Sequence, residues 1–85
     1  MKQAYIVFEI AAASDVNATT GKLRSTSLAN CLTRIVGSDG RVVFVHIACQ
    51  ETGGDPSFLN QAVQKLSGLD GIVGSTLVTL KQNGD

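Results

Sequence analysis

The 85-residue chain has no tryptophan, one tyrosine, one histidine, one proline and two cysteines, and only 16% of it is charged. A globular chain usually carries ~25% charge, so the polar surface here falls to Ser, Thr, Asn, Gln and Gly. Seven basic residues against seven acidic ones give a net charge of zero. Phosphate backbones demand a basic excess on one face, which excludes nucleic acid as a main partner. The same neutrality removes any charge barrier to self-association, so a homo-oligomer is expected. With four aromatic residues in all (three Phe, one Tyr) there are few stacking platforms.

Long apolar runs are also lacking. The nearly apolar stretch from Ala4 to Ala13 falls short of the ~20 residues a membrane helix needs, which excludes a membrane span. Lys2 before it and Ala11-Ala12-Ala13 at its end give it some likeness to a signal peptide, but Glu9 interrupts the apolar region. Alternation of Ile6, Phe8 and Ile10 with Tyr5, Val7 and Glu9 fits a strand better.

The cysteines, Cys31 and Cys49, form no CxxC pair, and one histidine cannot complete a four-ligand zinc site. Neither a metal nor another cofactor is expected. A hairpin turning at Asp39-Gly40 sets Cys31 opposite residues 46 to 48 and leaves Cys49 offset from it. The expectation is therefore two reduced, buried thiols in a cytoplasmic protein.

What is present is enough for one small domain over residues 1–85, with a polar, frayed tail at 81–85. Residues 3–12 read as a first strand. Ser14 to about Ser27 reads as a helix capped by Ser14 or Asp15, with Val16, Thr20, Leu23 and Ser27 on one face; an irregular loop is the alternative, because Gly21 sits mid-way. Two apolar runs flank Asp39-Gly40, a hairpin signal. Asp55-Pro56 opens a second helix whose face is Phe58, Leu59, Ala62, Val63 and Leu66, and Gly68 stops it. Ile72 to Leu80 is the last strand. The order strand, helix, strand, strand, helix, strand predicts an α+β ferredoxin-like split βαβ domain: a four-stranded antiparallel sheet with both helices on one face.

That layout leaves the second sheet face in water, where polar alternation is expected. The sequence supplies little. Val43, Val45 and Ile47 occupy one face of the third strand, yet Val42, Phe44 and His46 occupy the other, and Tyr5 and Val7 stand beside Glu9 in the first strand. Scattered surface apolars are ordinary, but these are contiguous and point to a covered face. Tyr5, Val7, Glu9, Val42, Phe44 and His46 are therefore the candidate partner-binding residues, for a protein or peptide partner or for a second copy. His46 has no Ser, Cys or carboxylate at a catalytic spacing, so no catalytic residue is nominated. Gly68-x-x-Gly71-x-x-Gly74 closes a helix rather than opening one, which excludes a dinucleotide fingerprint, and Asp55 would repel an anion at Gly53-Gly54.

Two resemblances follow. The last strand, Gly71-Ile72-Val73-Gly74-Ser75-Thr76-Leu77-Val78, the strand order, the length, and the placing of Cys31 and the Gly37–His46 hairpin resemble the NapD family. That resemblance implies a cytoplasmic chaperone that holds the twin-arginine signal peptide of a redox enzyme. The chain departs from the family at its opening, Ala4-Tyr5-Ile6-Val7, and at Thr79-Leu80. The strand order and the Thr-rich ending Ser75 to Leu80 are also similar to the effector-binding domains of Lrp/AsnC-type regulators. That second resemblance implies a stand-alone homo-oligomer of the dimeric α/β-barrel kind, binding small molecules between subunits.

Overall fold

Alternation along the first strand sets the layering. In this computed structural model, which describes residues 2–50 and 58–79, β1 (Lys2–Ile10) buries Ala4, Ile6, Phe8 and Ile10 and exposes Tyr5 and Glu9 between them. Successive strand side chains point to opposite faces, so burying one set commits the other to the far side. β3 (Val42–Cys49) repeats the pattern with Val43, Val45, Ile47 and Cys49. Leu23 of α1 (Val16–Ser25) and Leu59, Ala62 and Leu66 of α2 (Phe58–Ser67) join these residues in one core cluster. With β2 (Cys31–Asp39) and β4 (Ile72–Thr79) the chain order is β1, α1, β2, β3, α2, β4, and the sheet order is β2-β3-β1-β4 with every pairing antiparallel. The fold is α+β, a four-stranded antiparallel sheet with two helices.

The first helix forms, but its inner face differs from the expected one. Asp15 caps it, its carboxylate accepting from the Ala18 amide at 2.9 Å. Thr19 and Leu23 are buried, whereas Thr20 is half-buried and Ser27 lies exposed beyond the helix end. Thr19 can go inside because its hydroxyl donates to the Asp15 carbonyl at 2.9 Å, so no polar group is orphaned. Opposite it stands Gly71, with φ +96°, where an added Cβ would lie 2.8 Å from Thr19 Oγ1. Gly71→Ala therefore meets both a disfavoured backbone and a steric contact. It should cost about 1–3 kcal/mol in urea unfolding; an unchanged midpoint would contradict this packing of α1 on the approach to β4.

α2 buries the expected face, with Phe58 and Val63 packed beside the three core residues. Its last turn closes where the Gly68 amide donates to the Gln64 carbonyl at 3.1 Å. The expected Asp55-Pro56 start, Gly53-Gly54, and the 81–85 tail lie outside the described residues.

The hairpin corrects the reading of the cysteines. Its two turn residues are Gly40, at φ +58°, and Arg41, because Asp39 pairs with Val42. Glycine at the first central position is what a primed hairpin turn requires. The turn thus lies one residue later than expected, and a bulge between Ile35 and Gly37 then shifts the register back by one. The net result sets Cys31 directly opposite Cys49, and the two form a disulfide, with Cα atoms 4.0 Å apart. They are not the free thiols that the unshifted register predicts. Arg41 holds the turn in place: its Nη1 donates to the carbonyls of Ala11 and Ser14 at 2.7 and 2.8 Å.

A second bulge matters for β4. The pairing slips between Glu9 and Ile10, so Val73 is the extra residue and Ile72 comes opposite Ile10 on the helix side. Ile72 packs against the core while Thr76 and Val78 pair with Val7 and Tyr5 on the far side. Simple alternation groups Ile72 with Thr76 and Val78; the bulge separates them.

Candidate binding face of the sheet

The face turned away from the helices can be laid out from the registers. One row crosses the sheet as Arg34, His46, Tyr5 and Val78; the next holds Phe44, Val7 and Thr76; the third holds Asp39, Val42, Glu9 and Gly74. All six residues expected on this face, Tyr5, Val7, Glu9, Val42, Phe44 and His46, stand on it. The middle strands supply most of its apolar centre, with Tyr5 and Phe44 exposed and Val7 and Val42 half-buried, and Val78 of the edge strand β4 extends it, also exposed.

Two glycines on the outer strands shape the surface, and sequence reasoning gave neither a role here. An added Cβ at Gly37 would touch the Phe44 ring at 3.7 Å, and one at Gly74 would lie 3.3 Å from Glu9 Oε2. The Phe44 ring of β3 therefore reaches over Gly37, and the Glu9 carboxylate of β1 lies close over Gly74. A side chain at Gly74 would make the Glu9 carboxylate give way toward the space a partner would fill, whereas a methyl at Gly37 would rest in ordinary contact with the Phe44 ring. The only sequence signal for this is a glycine inside each edge strand, a mark of close approach.

His46 is held by its neighbours. Its Nε2 donates to Gln3 Oε1 at 3.0 Å, and its ring tilts against Tyr5 with centroids 5.3 Å apart. These are cross-strand contacts of an ordered surface, and neither partner is a nucleophile or carboxylate. Beside it, Leu32, Arg34, His46 and Ala48 line a shallow hollow of about 460 Å³. Leu32 is 81% exposed on the outer strand.

Charge on the face is segregated by row. Asp39 and Glu9 flank Val42 at the end near the hairpin turn, on strands two apart, which places their backbones about 10 Å apart. Arg34 stands two rows away, beside His46. Among the described residues no group of three or more His, Cys, Asp or Glu gathers where it could hold a metal ion. No helix among them is long and apolar enough to cross a membrane. Comparison with known proteins found no matching family, no similar curated protein and no similar solved structure.

Proposed function

We propose that this chain is a non-catalytic binding module whose working surface is the open sheet face, and that its occupant is an amphipathic peptide. The chain order with sheet order β2-β3-β1-β4 is read here as the ferredoxin-like arrangement. The observation that carries the proposal is the contiguous apolar centre Tyr5, Val7, Phe44 and Val78, ending in a row with two carboxylates, Glu9 and Asp39. An apolar helix face can lie on the former while arginines reach the latter through charge-assisted hydrogen bonds. This supports the twin-arginine signal peptide that the NapD resemblance implies. Titration calorimetry with a synthetic peptide of two adjacent arginines and an apolar helix should give binding that Glu9→Gln weakens at least five-fold. Equal affinity for a peptide with both arginines replaced by glutamine would remove the arginine reading.

A chaperone of this class works in the cytoplasm, where disulfides are rare. The proposal therefore requires that the dithiol form of Cys31 and Cys49 fold and bind as well; binding by the oxidised form alone would place the protein in an oxidising compartment. The hollow beside Leu32, Arg34 and His46 favours the second reading, a small-molecule site of the Lrp/AsnC kind, at that corner of the face. An anionic ligand that binds there while the peptide does not would select it.

A further inference from the structure

The two edges of the sheet are built differently. β2 carries Arg34 and Asp39 and is interrupted by the bulge after Ile35, devices that discourage a further strand from pairing. β4 has none of them where it matters. Its sequence Ile-Val-Gly-Ser-Thr-Leu-Val-Thr contains no charge and no proline, and its bulge falls at its start, leaving Gly74 to Thr79 in regular register with β1. No strand pairs with its outer side among the described residues. Leu77 and Val78, on opposite sides of the sheet, are 39% and 51% exposed.

We propose that β4 pairs with β4 of a second copy, antiparallel and about a two-fold axis, joining two four-stranded sheets into one. A second copy is the occupant because β4 is its own complement. β4 carries no charge, so no register of the pairing sets like charges side by side, and the zero net charge of the chain adds no long-range repulsion. Centring the pairing on Thr76, the middle of Gly74–Val78, sets Thr76 beside its own counterpart and each Val78 beside the other copy's glycine. Such an interface is isologous, and only the guarded β2 edges remain free after it forms, so assembly stops at the dimer. The two open faces then run together as one surface. The inference does not depend on what that surface binds.

Sedimentation and light scattering on the full chain across concentration test it, with hydrogen exchange read on β4. The expected result is a monomer–dimer equilibrium in which amides of residues 74–79 gain protection as concentration rises. Thr76→Lys should raise the dissociation constant at least ten-fold with unchanged circular dichroism, Thr76→Val should leave it within two-fold, and Phe44→Asp should leave it unchanged. A monomer at all concentrations, a dimer without added protection in β4, or a dimer lost to Phe44→Asp but kept by Thr76→Lys would each overturn the proposal. The exchange measurement uses the wild-type chain and holds even if the lysine variant fails to fold.

Discussion

Val45→Asp should leave no folded protein, while Phe44→Asp, one position earlier, should fold with near-native circular dichroism and lose peptide binding. The two positions are adjacent on β3 but face opposite ways. Val45 is 1% exposed and sits in the core cluster with Ile6 and Leu66, whereas Phe44 is 36% exposed over Gly37. A carboxylate at Val45 is buried without a partner and is worth several kcal/mol against a total stability of roughly 5–10 kcal/mol. At Phe44 the new charge meets water, and stability should change by about 1 kcal/mol or less. What it removes is the centre of the apolar patch. Urea unfolding of both variants, alongside peptide titration of the second, checks the pair. An unfolded Phe44→Asp would mean that the open face is core.

Replacing both Cys31 and Cys49 with serine, or reducing their bond, should lower stability by about 3 kcal/mol. The bond closes a loop with a sequence separation of 18, and the entropy withheld from the unfolded chain by such a loop is of that size. For a domain this small the melting temperature should fall by roughly 12–24 °C. Both cysteines are buried, with the Cys31 sulfur 3.7 Å from the Phe58 carbonyl. The loss therefore falls where β2 and β3 meet the start of α2. Thermal melts with and without reductant measure it; coincident melts would show that the bridge contributes nothing to the fold.

The parts of this structure legible in the sequence are those set by period. Alternation along β1 and β3 places Ile6, Phe8, Val43 and Val45 inside and Tyr5, Glu9, Phe44 and His46 on the far face, as the burial of the first four and the strand registers show. The inner face of α2 follows from its three-to-four spacing in the same way. What period cannot show is where it breaks. Neither bulge has a composition of its own, yet one brings Cys31 opposite Cys49 and the other turns Ile72 inward. The burial of Thr19 was hidden for another reason: a threonine reads as polar until its hydroxyl finds the Asp15 carbonyl. Gly37 and Gly74 belong to the same class, because their value lies in what neighbouring strands place over them. Asp39 is hidden because Asp-Gly signals a turn, and the turn one residue later makes it a strand residue on the open face.

The most direct measurement is a nitrogen-15 chemical-shift map of the labelled protein titrated with the two-arginine peptide. The account predicts shifts concentrated on Tyr5, Val7, Glu9, Asp39, Phe44, His46 and Val78, with Thr19, Leu23, Leu59 and Leu66 unmoved. Shifts gathered instead on α1 and α2, or a saturating titration that leaves β1 and β3 unchanged, would contradict the open sheet face as the site of binding.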